Sequence, residues 1–331
     1  MFAPELPEHA AEAAGHAAQA AGHAAQAVEH AAAAAEHGGA FDAGETIIHH
    51  VANSSIDEPL IHLPKLMGID MSVTKHVLML WVVAGLLFLV VTVTVRRYLK
   101  QERLIPEGLM NALEAIVEFV RDSIALPNVG RKWVGAWAPL LLTLFFFILC
   151  ANGIGLIPVF DVLGLLDHFV LHASEGSLVK HLMHGGTTAT ANYNVTAALA
   201  TVTFFSIILA GSKAHGPIKH WINLVPHGLA WPIYIILIPI EVMGMFVRPF
   251  ALTMRLAANM TGGHIALLAL LSLVYLFAEV GGAMAGVGAG VLTLPLTVGI
   301  SGLEIIVVLV QAYVFTLLTA VFIGMAIHVH H

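Results

Sequence analysis

The sequence predicts an all-α, polytopic membrane protein with transmembrane helices, one amphipathic helix at the membrane surface and a long tilted C-terminal helical hairpin. Three observations carry this expectation. Of the 331 residues, 58% are hydrophobic and 11% are charged, whereas soluble domains carry about a quarter charged residues. Uncharged runs of nineteen residues or more recur along the chain, each long enough as a helix to cross ~30 Å of hydrocarbon. The remaining charges are segregated: ten of the 21 acids lie before residue 71, and seven of the 14 Lys and Arg residues fall between Arg96 and Lys132. The formal net charge of -7 comes without a basic patch, so nucleic acid is not an expected partner. The single cysteine, Cys150, sits in the apolar run PLLLTLFFFILCANGIGLIP and excludes an internal disulfide.

Residues 1–45 form a low-complexity Ala/His-rich tail in which His9, His16, His23, His30 and His37 recur every seven residues. On a helix they form one stripe, but neighbours stand about 10 Å apart along the axis, too far for two of them to ligate one metal ion. The tail lacks the basic n-region and Leu-rich core of a signal peptide and is expected to remain in the mature chain. Residues 46–331 are read as the membrane domain. Its first span, VLMLWVVAGLLFLVVTVTV at residues 77–95, stops at Arg96, Arg97, Lys100 and Arg103. The positive-inside rule places that loop in the cytoplasm and the N-terminus outside.

Within this loop, residues 107–125 carry apolar side chains at Leu109, Leu113, Ile116, Val117 and Val120, the period of an amphipathic helix, whose charges forbid spanning and place it on the membrane surface. A second span at residues 138–159 leads outside to a polar loop bearing His168, His172, His181 and His184. Their mixed spacing suits a solvated loop and no metal is expected. A third span, residues 194–211, returns the chain to the basic stretch SKAHGPIKH. The last two apolar segments, 231–277 and 291–327, are each about 55–70 Å long if helical, roughly twice a perpendicular span. They must tilt, or bend at Pro232, Pro239 and Pro249. GGAMAGVGAG, residues 281–290, is expected to be the flexible turn between them, leaving the C-terminus in the cytoplasm.

These two segments hold the candidate chemistry. An Arg at the centre of a membrane helix costs roughly 2.5–3.5 kcal/mol on insertion scales, so Arg255 calls for a partner or a purpose. Because guanidinium keeps its proton, Arg255 is a fixed positive charge and not a relay. Glu241, Arg248 and Arg255 are spaced seven and seven and share a helical face, with Asn259 one turn beyond. On the facing segment Glu304 and Gln311 are also seven apart. The midpoint of Arg255 and Gln311 is residue 283, and that of His264 and Glu304 is residue 284, so both pairs predict one hairpin register centred in the glycine-rich turn. Taken singly, Asn259 and Gln311 also suit plain interhelical hydrogen bonding, His264 a buried donor and Glu304 a snorkelling end group.

RLAANMTGGH from Arg255 and LVQAYVFTLLTAVFI from Leu309 resemble the two signature motifs of the F-type ATP synthase subunit a family, and APLLLTLFFFILCANGIGLIP and ANYNVTAALA resemble its second and third spans. The resemblance covers roughly residues 70–327. It implies a proton-translocating stator subunit of a bacterial inner membrane, without a cofactor, working with a ring of rotor c subunits, peripheral-stalk b subunits and the remaining synthase subunits in the lipid bilayer. Arg255 would face the ring carboxylate and block leakage between two half-channels. Asn259, His264, Glu304 and Gln311 would line the entry path from outside and Glu241 the cytoplasmic exit, while Arg248 would give support. His264 and Glu304 match the family's His and Glu pair, with His first. The His-rich tail departs from the family pattern. The alternative reading is a proton-coupled secondary transporter in which Arg255 binds an anionic substrate, although no internal repeat accompanies it.

Overall fold

The computed structural model describes residues 72–100, 105–156, 188–222 and 231–328. The histidine-bearing N-terminal tail and the polar loop with His168, His172, His181 and His184 lie outside the described residues. The described residues are helical almost throughout, with no strand among them. Four of their helices are long and apolar enough to cross a membrane.

Helix α1, Lys75–Lys100, closes on Arg97 and Lys100 in its last turn, where positive charge complements the carbonyl end of the helix dipole. The amphipathic segment differs from the surface helix expected. It is an α-helix over Leu109–Glu118 (α2), a π-helix over Phe119–Ala125 and a short α-helix over Leu126–Val129 (α3), ended by Gly130 at φ 78°. The first part has no buried residue, but Val120, Ile124 and Val129 are fully buried. The wider π turn shifts the side-chain phase, and the apolar positions beyond it turn inward against the following span. Burial therefore begins beyond the N-terminal half of the segment.

Helix α4, Val134–Leu156, carries Leu141, Leu144 and Ile148 into the core. A 3₁₀ turn at Ala189–Ala191 leads into α5, Tyr193–His215, whose N-cap side chain, Asn192, accepts the Asn194 N–H at 2.8 Å, satisfying a donor that the first helical turn leaves open. Gly216 (φ 90°) then redirects the chain into α6, Pro217–Ile222.

Helix α7, Trp231–Ile327, runs for 97 residues with one break in its helical backbone, Gly282 at φ 78° and ψ 177°, a conformation essentially reserved for glycine. The two limbs, 231–281 and 283–327, fold back as a hairpin. The turn is thus a single residue, and the flexible segment expected over 281–290 is otherwise helical. Its other glycines permit close approach: a Cβ on Gly286 would lie 2.5 Å from the Cβ of Ala278, and one on Gly290 would touch Val274. The backbone also stays helical through Pro239, Pro249 and Pro295, so the fold-back is made at Gly282 and not at proline. The core lies where α4, α5 and the second limb meet, around Phe315, Ala320 and Ile323.

Lipid tails are as apolar as leucine, so helices in a membrane are held by close packing and interhelical hydrogen bonds. Thr203 and Thr319 hydroxyls meet at 3.2 Å, and His215 Nε2 hydrogen-bonds the Ile327 carbonyl at 2.9 Å. At Gly324 the second limb lies so close to Asn128 of α3 that a side chain there would strike its carbonyl. At the α5–α6 corner the buried His220 ring fills the notch left by Gly211. Its Nε2 has no hydrogen-bond partner among the described residues.

Burial, with neighbouring His215 as the lesser cause, holds His220 below the ordinary histidine range. A depressed folded value means that His220 contributes stability above its unfolded value of about 6.5, which is lost as pH falls through the folded value. The melting temperature of the detergent-solubilised protein is therefore expected to fall as pH drops below about 6.5, and His220→Phe to flatten that fall. An unchanged pH dependence in the variant would contradict the assignment.

Candidate functional site

The hairpin builds the site from two helix faces brought together by Gly282. On the first limb Leu252, Leu256 and Met260 are buried against the body of the protein. Arg255 lies on the opposite, exposed face, among exposed Ala251, Met254, Ala258, Gly262 and Ile265. These positions recur at three- and four-residue spacing, as one helical face must. No acid among the described residues pairs with Arg255. Arg248, one heptad earlier, is half-buried and its guanidinium stacks 5.5 Å over the Phe322 ring of the second limb. The two arginines are thus in different states: Arg248 clasps the hairpin, and Arg255 presents its charge outward.

Behind Arg255 the limbs exchange polar contacts. Asn259 Nδ2 donates to Gln311 Oε1 at 3.2 Å, and Gln311 is 3% exposed. This shifts the expected pairing by one turn, since Gln311 meets Asn259 and not Arg255. His264 and Glu304 come together as the register predicts, with Nδ1 3.6 Å from Oε1, an ion-pair distance too long for a hydrogen bond. Glu304 is 3% exposed, and neither of its oxygens has a hydrogen-bond partner among the described residues. Ionising a carboxyl buried without hydrogen bonds costs several kcal/mol unless a neighbour shares the charge. His264 is the neighbour placed to do so. Gly263 makes room for this packing, because a Cβ there would collide with the Glu304 carboxyl.

Glu241 is half-buried on the first limb, fourteen residues and therefore about 20 Å of helix from Arg255. It does not join the His264–Glu304 cluster. The segment that precedes α5, outside the hairpin, does. The Thr188 hydroxyl lies 2.7 Å from His264 Nε2, and Thr190 hydrogen-bonds Asn152 of α4. Thr261 of the first limb donates to the Ala191 carbonyl at 3.2 Å. Thr188, Thr190 and Asn152 carry little mark in the sequence. Asn152 does leave a trace, as a lone carboxamide in an apolar span. The threonines lie before a helix start, where no periodicity marks them.

Nothing among the described residues gathers three His, Cys, Asp or Glu side chains into a metal site. The arrangement instead offers a fixed outward cation and, further along the hairpin, a partly buried His264 beside the buried Glu304 carboxyl.

Residues 77–324, from α1 through nearly all of the hairpin, match the family model described as ATP synthase A chain. The chain is 41% identical over 292 residues to ATP synthase subunit a 2 of Chlorobium luteolum, covering 86% of this chain and 76% of the relative. It is 39% identical over 296 residues to ATP synthase subunit a 2 of Prosthecochloris aestuarii, covering 87% and 81%. It is also 38% identical over 289 residues to ATP synthase subunit a of Chloroherpeton thalassium, covering 85% and 76%.

The hairpin register has a direct check. In a background with Cys150→Ser, cysteines placed at 264 and 304 are expected to be joined by a short thiol-specific bifunctional reagent in native membranes, and cysteines at 241 and 304 are not. Equal yields from both pairs would reject the register.

Proposed function

The chain belongs to the ATP synthase A chain family, and on that premise we propose that it is the proton-translocating stator subunit of an F-type synthase, with Arg255 facing a proton-carrying carboxylate on a ring of rotor c subunits. The observation that carries this reading is that Arg255 is exposed within a long apolar helix and has no acid paired with it among the described residues. A cation in that setting stabilises an anion brought to it. A ring carboxyl stays neutral while it faces lipid, releases its proton beside Arg255, and is reprotonated from the other half-channel before it re-enters lipid. Arg255 itself carries no proton, so it separates the two half-channels. Asn259, His264, Glu304 and Gln311, together with Asn152 and Thr190, line the path from the outer face. Glu241 belongs to the cytoplasmic path, and Arg248 steadies the hairpin.

Each proton crossing the membrane potential delivers about 2.3 kcal/mol per 100 mV. Peripheral-stalk b subunits hold the chain against the torque. The concentration of basic residues between Arg96 and Lys132 supports an N-terminus outside and a C-terminus in the cytoplasm of a bacterial inner membrane. The family assignment displaces the carrier reading, in which Arg255 would have met a soluble anion.

Arg255→Ala is expected to abolish ATP-driven proton pumping in inverted vesicles while the complex still assembles. Retained coupled pumping would reject the gate. His264→Ala or Glu304→Ala is expected to slow pumping about tenfold or more, equivalent to ~1.4 kcal/mol on the limiting step. Exchanging the two residues should leave more activity than either deletion, because the pair shares one proton site. An exchange as damaging as removing both would contradict that sharing.

A further inference from the structure

His264 has two ring nitrogens, and the structure gives each a different neighbour. Nδ1 faces the Glu304 carboxyl at 3.6 Å, and Nε2 faces the Thr188 hydroxyl at 2.7 Å. A neutral imidazole has one N–H donor and one acceptor, and which nitrogen carries the proton is set by the hydrogen bond the other makes. A hydroxyl can donate or accept, so it remains a partner in both protonation states. Thr188 is fully buried, and its side chain has no other hydrogen bond among the described residues.

The hydroxyl is also held in place from several sides. The turn that follows it, Ala189–Ala191, is tied to α4 through Thr190 and Asn152 and to the first limb through Thr261 and the Ala191 carbonyl. Gly155 of α4 lies directly against the Thr188 side chain, where a Cβ would collide with its hydroxyl. The segment thus spans the interface between α4 and the hairpin and delivers one amphiprotic group to Nε2.

We propose that Thr188 is the positioning residue for His264. Its hydroxyl accepts from Nε2–H, which leaves the Nδ1 lone pair facing Glu304; Nδ1 takes the Glu304 proton to give imidazolium and carboxylate and later returns it, while Nε2–H stays on the hydroxyl throughout. The ring can then exchange a proton with Glu304 without turning over. This inference rests on the proton-path reading of the His264–Glu304 pair.

The test measures ATP-driven proton pumping by the intact complex in inverted vesicles, normalised to the amount of assembled complex. Thr188→Val keeps the shape and removes the hydroxyl, and it is expected to slow pumping about three- to tenfold. Thr188→Ser keeps the hydroxyl and should pump close to the natural protein. In a His264→Ala background Thr188→Val should cost nothing further, since its effect runs through the ring. Should Thr188→Val fail to assemble, Thr188→Ala is judged by the same criteria. Pumping by the hydroxyl-free variant equal to the natural protein, equal loss in the Val and Ser variants, or a full additional loss in the His264→Ala background each overturns the positioning role alone. Unimpaired pumping by His264→Ala itself would instead overturn the proton-path reading on which it rests.

Discussion

A guanidinium keeps its proton at any pH a cell reaches, so a helix that carries Arg255 through an apolar environment must find its counter-charge outside itself or bear the cost. The hairpin is arranged so that no described acid of this chain meets it. Glu304 of the second limb is buried in the body of the protein beside His264, and the neighbouring cation, Arg248, stacks on the Phe322 ring. Arg255 remains exposed among small residues, Ala251, Ala258 and Gly262, with Asn259 one turn beyond. Such a face keeps electrostatic attraction strong, because little water lies between the charge and its visitor.

That disposition depends on backbone details remote from the charge. Gly282 sets the point of reversal, and with it which residue of one limb meets which residue of the other. The small side chains at Ala278 and Gly286 bring the limbs near enough for their polar groups to touch, and the buried threonines of α5 and the second limb lock the hairpin against the body. One residue added to or removed from the turn would rotate each limb by about 100° relative to the other, parting His264 from Glu304. Packing and proton chemistry are therefore coupled through register.

Much of this was legible in the sequence. The two polar pairs predict a reversal near residues 283 and 284, and the chain reverses at Gly282. The apolar helices were legible from length and composition, because hydrocarbon thickness allows few solutions. What escaped had local causes. A π turn has no compositional mark, so the inward rotation of Val120 and Ile124 was hidden behind a normal amphipathic period. Gln311 found Asn259 in place of Arg255 because a one-turn offset between limbs leaves the pattern unchanged. Thr188 reaches His264 across 76 residues of chain, and no spacing rule connects them.

The central claim is that the counter-charge of Arg255 is an acid that moves. A density map of the intact, resting complex tests it most directly, through the separation between the Arg255 guanidinium and the nearest carboxylate. The account predicts a rotor-ring carboxylate in that place, at contact distance or bridged by a single water, with no fixed acid closer. A guanidinium paired with a carboxylate of any stationary subunit, or sealed under lipid away from the ring, would contradict it.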